Sequence, residues 1–401
     1  MNLRFTFWLA TCVGLTVSPT YAAERAAACN TSACNSLLVY VGTHGGGGPP
    51  GREVGAAEPR QGIYAARLDR KTGHLTALGL VSEIGRATWL VNHPTLPILY
   101  SVGLEGKDMG AEASLYSLAV DAESGQLREL NRVGAGGTDA THLDLDTVSM
   151  TLFSANHGSG SVTALPVLPD GRLGPVASTQ KDFGTGPHRR QSMPQAHGVA
   201  VDPSHRYVLS ADFGADRIFI YRFDPATRAL TPAATPFVSL PAGSGPRHLN
   251  FQPNGHFLYL DCELTGALVA YRWDPKRGQL ELIQTISPFE PGFTGEKSAA
   301  ELVLSRDGRF LYLSLRGDEN SIVTYAINRR KGTLAELQRV PSGGKTPWSF
   351  SLDPSGRWLL VTNEASNAVN EFRVDPATGK LSATSEVLEV PQPVTVAFYP
   401  D

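Results

Sequence analysis

Residues 248–280 read HLNFQPNGHFLYLDCELTGALVAYRWDPKRGQL. Three runs rich in β-branched and aromatic residues, LNF, HFLYLD and ALVAYRW, are separated by the turn signals PNG and TG, a pattern of consecutive antiparallel strands. The same layout returns in VAVDPSHRYVLSADFGADRIFIYRF, LVLSRDGRFLYLSLRGDENSIVTYAI and FSLDPSGRWLLVTNEASNAVNEFRV. Its closing segment recurs seven times, as YAARLDRKTGHL, YSLAVDAESGQL, LPVLPDGRL, YRFDPATRAL, YRWDPKRGQL, YAINRRKGTL and FRVDPATGKL. The acid or amide of each falls at Asp69, Asp121, Asp170, Asp224, Asp274, Asn328 and Asp375, in steps of 52, 49, 54, 50, 54 and 47 residues. That period fits one four-stranded propeller blade. The sequence therefore predicts an all-β chain, a single seven-bladed β-propeller of four-stranded antiparallel blades over residues 36–401. Two half-units remain, LLVYVGT at 37–43 and VTVAFYP at 394–400. Pairing these N- and C-terminal strands would close one blade and leave no exposed edge. No run keeps an apolar period of 3.6 long enough for a helix.

Charged residues make up 18% of the 401, and the net charge is −3, which excludes the basic footprint of a nucleic-acid binder or a polybasic membrane-surface protein. Residues 1–23 carry the marks of a secretory signal: a positive start at Arg4, the uncharged apolar run FTFWLATCVGLTV and small residues in TYAAE. Export to the periplasm follows, with no membrane attachment after cleavage. Residues 24–35 read as a loose leader, and GGGGPPGREVGAAEPRQ at 45–61 as a loop insertion. CNTSAC leaves open a local bridge between Cys29 and Cys34 in an oxidising compartment, while Cys262 reads as a small buried thiol. Beside Cys29 and Cys34 no second cysteine or histidine pair stands at zinc-ligand spacing. Oligomeric state is not legible.

Laying His197-Gly-Val-Ala-Val-Asp-Pro203 over Arg247-His-Leu-Asn-Phe-Gln-Pro253 puts His197 and Arg247 at one register position, 50 residues apart, at the start of an inner strand. Glu263, Arg316 and Glu364 share another, at the end of the second strand of successive blades. In an antiparallel blade these two positions lie at the same end, so ionisable side chains gather at the channel mouth. Other readings stand beside this one: Arg247 paired with a neighbouring blade's carboxylate, Glu263 and Arg316 as a plain ion pair, and His197 as a turn residue. His157, His188, His205 and His256 read as surface or turn residues. The run GPHRRQSMPQ reads as a solvated loop from which Arg190 and Gln191 can line a pocket.

At these residues the chain resembles the seven-bladed propeller lactonases, the family of propeller-type 6-phosphogluconolactonase and fungal carboxymuconate cyclase. The stretches QAHGVAVDPSHRYVLSADFGADRIFIYRFD, GSGPRHLNFQPNGHFLYLDCELTGALVAYRWD, SAAELVLSRDGRFLYLSLRGDENSIVTYAI and GKTPWSFSLDPSGRWLLVTNEASNAVNEFRVD carry the resemblance, which runs from about Leu38 to Tyr399. It implies catalytic roles for His197, Arg247, Glu263 and Arg316, and Arg190, Gln191, Glu301 and Glu364 are the candidate substrate contacts. The chain departs from the family at Pro194-Gln195-Ala196-His197, which lacks a first His, at Trp348, and around Gly103-Leu104-Glu105. The expected substrate is a small-molecule sugar lactone, glucono-1,5-lactone given export. A 6-phosphogluconolactone and a muconate-type lactone are the alternatives. No cofactor and no metal is called for, although Glu263, Glu301 and Glu364 would supply oxygen ligands to a calcium-assisted variant. A non-catalytic binding platform is the reading of another class.

Overall fold

The computed structural model describes residues 35–44, 60–104 and 110–399. The signal segment, Cys29, Cys34, most of the leader and of the 45–61 insertion, and Glu105 lie outside the described residues. Seven antiparallel sheets of four strands each form the blades of a propeller. Blade 1 is built from both ends of the chain, in the order Pro393–Tyr399, Ser36–Thr43, Ile63–Asp69 and Leu75–Ser82. The C-terminal strand is innermost, with Leu38 opposite Tyr399 and Tyr40 opposite Ala397. Blades 2 to 7 follow in chain order, with inner strands Leu90–Asn92, Ala140–Asp146, Ala196–Val201, Pro246–Phe251, Lys297–Leu304 and Pro347–Leu352.

The recurring closing segment has a physical basis. In all seven copies the acid or amide side chain accepts from the backbone N–H two residues on, at 2.9 Å from Asp69 to Lys71 and 2.9 Å from Asp274 to Lys276. This turn seeds the last hairpin of the blade. The glycine that follows serves the next contact. Tyr40, Tyr100, Tyr259 and Tyr312, each on a second strand, donate their hydroxyls to the carbonyls of Gly125, Gly171, Gly332 and Gly379 in the following blade at 2.9–3.1 Å. Second strands such as Phe257–Cys262 are buried along their whole length because a neighbouring blade covers each face.

Polar side chains also stitch the inner strands of neighbouring blades. Asn92 donates to the Phe398 carbonyl at 2.7 Å, Asp144 accepts from the Val201 N–H at 2.8 Å, and Asn250 donates to the Leu302 carbonyl at 3.0 Å. A central channel of about 400 Å³ runs between these strands.

Gly332 has φ +74°, and a Cβ there would lie 2.4 Å from the Phe257 ring. Tyr259→Phe, which removes only the hydroxyl, should cost about 1 kcal/mol in urea unfolding. Gly332→Ala should cost more, about 2 kcal/mol or above, from left-handed backbone strain and overpacking together.

Candidate active site

The inner strands do not run regularly to their ends. Each of those in blades 3 to 7 has a bulge within its first residues, between Ala140 and His142, Ala196 and Gly198, Pro246 and Leu249, Ala299 and Leu302, and Pro347 and Ser349. A regular strand sends consecutive side chains to opposite faces, and a bulge breaks that alternation. Thr141, His197, both Arg247 and His248, and Trp348 consequently line one small cavity of about 50 Å³ at the start of the inner strands, together with His44, Arg86, Thr88, Trp89 and Val394.

Arg247 is 1% exposed. Its Nε donates to Glu263 Oε2 at 3.1 Å, and its Nη1 donates to the Ala300 carbonyl of blade 6 and lies 3.1 Å from His248 Nδ1. Glu263 also meets Arg316 Nη2 at 3.0 Å and Arg190 Nη1 at 2.7 Å. Burial alone would raise the Glu263 pKa, but Arg316, Arg247 and Arg190 outweigh it and hold the carboxyl well below the usual range. Glu263 is therefore a permanent anion among three cations.

The imidazoles behave in the opposite way. His142, His197 and His248 are held well below the ordinary histidine value, by burial first and then by the charge of Arg247 and by one another. The ring of His197 lies 5.2 Å from His248 and 5.4 Å from His157. Its Nδ1 is buried with no partner among the described residues, so no carboxylate fixes the ring or stabilises its protonated form. The His197 carbonyl is held instead, by the Thr141 hydroxyl at 3.1 Å.

Below this layer the Trp89 ring lies 4.0 Å from His142 and 5.1 Å from His248. Trp89 and His248 line both the small cavity and the central channel, and so divide them. Glu301 faces the channel, with Oε1 3.2 Å from His248 Nδ1 and Oε2 accepting from Ser349 Oγ at 3.2 Å. Burial pushes its pKa up to about 8 against the pull of Arg247. Asp261, which accepts from the His248 N–H at 2.9 Å, is likewise pushed up to about 8 by burial.

Of the residues singled out from sequence, His197, Arg247, Glu263, Arg316 and Arg190 come together at the mouth. Glu301 sits one layer deeper. Glu364 reaches the cavity only through His44, whose Nδ1 lies 3.5 Å from its Oε1. Gln191 is not brought to the pocket: fully buried, it donates to the Phe213 carbonyl and Asp216 at 2.7 Å each and accepts from the His188 N–H, anchoring the loop that carries Arg190. Sequence reasoning missed His142 and His248, which the bulges turn inward, and Trp89, just ahead of the inner strand of blade 2, and it read His157 as a turn residue. His157 packs edge-on against His197, with its Nδ1 3.4 Å from Asp139. The proximity of Asp139 to both Arg86 and His157 had no signal in sequence. Among the described residues no group of three His, Cys, Asp or Glu side chains is arranged to hold a metal ion.

Comparison with known proteins agrees with this architecture. The family model described as "Lactonase, 7-bladed beta-propeller" matches residues 40–398. A 6-phosphogluconolactonase of Bacillus subtilis is 31% identical over 359 residues, covering 90% of this chain and 97% of that protein. A 6-phosphogluconolactonase of Formosa agariphila is 29% identical, covering 83% of this chain and 94% of its own. The solved structure of a periplasmic gluconolactonase from Pseudomonas aeruginosa is similar with a TM-score of 0.83 and 32% identity, covering 91% of this chain and 99% of that one.

The buried acids imply a pH dependence of stability. Glu301 and Asp261 bind a proton more tightly folded than unfolded, so their contribution is full below about pH 4 and is lost as pH rises through about 8. The depressed histidines act in the reverse sense, but only below the unfolded value of 6.5. Between pH 6.5 and 8 the histidines no longer act, while burial also pushes the Glu371 carboxyl up, to about 7, so these raised acids act in one direction and the melting temperature should fall. Glu301→Gln and Asp261→Asn should each flatten that slope, measured by calorimetry across the interval.

Proposed function

The chain belongs to the seven-bladed β-propeller lactonases, and from that premise we propose that it hydrolyses a sugar δ-lactone, glucono-1,5-lactone, in the periplasm. The observation that carries the reading is the shared cavity: the unpartnered ring of His197 and the guanidinium of Arg247 face the same small space, with Arg316 beside it.

His197 is neutral at working pH and takes a proton from water as that water attacks the lactone carbonyl carbon. Arg247 and Arg316 donate to the carbonyl oxygen as it becomes the tetrahedral oxyanion. The bond from that carbon to the ring oxygen then breaks, and imidazolium returns its proton to the departing alkoxide. The burial and the two guanidiniums that keep His197 neutral also make its imidazolium a strong acid, which favours this second transfer. Glu263, ionised at any ordinary pH, does not serve as the acid; it holds the arginine planes. The product acid ionises in water.

The leader supports export, and the likeness to a periplasmic gluconolactonase favours the unphosphorylated substrate. The relatives named 6-phosphogluconolactonase support a second reading, a phosphorylated lactone.

His197→Ala should lower kcat on glucono-1,5-lactone by about 10²-fold or more with the fold intact, whereas Arg247→Ala should raise KM as well as lower kcat. A fully active His197 variant removes the base. kcat/KM should be higher for this lactone than for a muconate-type lactone. Cell fractionation and intact mass should find the mature protein in the periplasm, starting near Ala23 or Glu24; full-length protein in the cytosol overturns both export and the substrate argument.

A further inference from the structure

Arg247 on the cavity and Arg316 beside it, against Trp348, would ordinarily suit phosphate, which guanidinium grips with a pair of parallel N–H donors. Here those pairs are broken. A guanidinium has one two-donor edge at Nε and Nη2 and another at Nη1 and Nη2. In Arg247, Nε is taken by Glu263 at 3.1 Å, and Nη1 by the Ala300 carbonyl and His248. In Arg316, Nη2 belongs to both edges and is taken by Glu263 at 3.0 Å and Ser298 Oγ at 3.0 Å. Among the described residues, Arg247 keeps Nη2, and Arg316 keeps Nη1 and a buried Nε that lie on different edges, so neither guanidinium keeps a complete two-donor edge. A lactone carbonyl or hydroxyl accepts from such a donor; a phosphate loses its fork.

Trp348 closes what remains. The guanidinium carbons of Arg316 and Arg247 lie 4.7 Å and 5.7 Å from its ring centroid, and the His44 ring lies 5.0 Å away. With the indole in place the cavity is about 50 Å³, space for only a few waters at roughly 10–15 Å³ each. Arg190, the outermost guanidinium, is half exposed and lies over the Phe213 ring at 4.6 Å with Nη1 on Glu263. Solvent weakens what it can offer an anion.

We propose that Trp348 is the specificity-determining residue of this site: its indole packs against the faces of Arg247 and Arg316 and narrows the cavity so that it admits the carbonyl end of a sugar lactone but not a phosphate carried on the exocyclic carbon. This rests on the lactonase reading above and names the group the site rejects.

The test compares Trp348→Phe, Trp348→Leu and Trp348→Ala with wild type on glucono-1,5-lactone and its 6-phosphate, corrected for spontaneous hydrolysis, with folding checked by thermal melts. The ratio of kcat/KM for the phosphate form to that for the neutral form should rise about tenfold or more in the Ala variant, less in Leu and little in Phe. A general packing defect lowers both substrates together and leaves the ratio where it was, so an unchanged ratio in a folded Leu or Ala variant overturns the proposal. Should neither fold, wild type decides: millimolar inorganic phosphate should leave hydrolysis of the neutral lactone unchanged, and competitive inhibition overturns the proposal. Wild type inactive on both lactones overturns the lactonase reading and this inference with it, whereas an active wild type with an unaltered variant ratio overturns this inference alone.

Discussion

Taking the Glu263 carboxylate out of water costs several kcal/mol, and only close, well-aligned cations offset such a cost. Three guanidiniums do so from three places: Arg247 on the inner strand of the same blade, Arg316 on the second strand of the next, and Arg190 on the loop entering blade 4. The anion thereby fixes the separation of blades 5 and 6 at the mouth and the position of the Arg190 loop. Removing Glu263 would leave Arg247 and Arg316 buried without the carboxylate they share, a loss of about 3–5 kcal/mol. The cluster holds one carboxylate against three arginines, so its surplus charge is positive. Burial, and that surplus after it, keep the neighbouring imidazoles neutral.

Directional polar contacts elsewhere in the ring do comparable work at lower stakes. Each reaches from one blade to the next, from Tyr259 to Gly332 around the outside of the core and from Asn250 to Leu302 along the channel. The blades share apolar surface between second strands, which fixes little about rotation or height. Hydrogen bonds of defined length set both, and the level of each bulge at the mouth follows from them.

The architecture was legible because the repeat is chemical as well as periodic. An Asx turn needs its acid or amide at one place, and Asp69 through Asp375 mark it in every blade. Register then carried His197 and Arg247 to one end, and Glu263 and Arg316 beside them. Strand alternation could not reveal His248, because it assigns opposite faces to Arg247 and His248, whereas the bulge before Leu249 turns both inward. Bulges answer to neighbouring blades and leave no local mark. Gln191 misled for a related reason: a polar residue in a polar loop reads as solvent-facing, and only tertiary contact with Asp216 makes it an anchor. Glu364 did keep the register of Glu263, but no guanidinium is paired with it among the described residues; its partner is His44.

The bare Nδ1 of His197 makes sense in this setting. Many histidine bases are oriented by a carboxylate, which raises their basicity and secures the tautomer. A carboxylate against His197 would also cancel part of the positive surplus at the point where an oxyanion would form. Asp139 instead sits one residue further out, against His157 and Arg86. His197 is then positioned by packing, between His157 and His248, and by its backbone through Thr141. Its basicity is low and its conjugate acid strong. That combination suits hydrolysis of an activated ester ring, where attack is easy and prompt return of the proton to the leaving oxygen matters more than a powerful base.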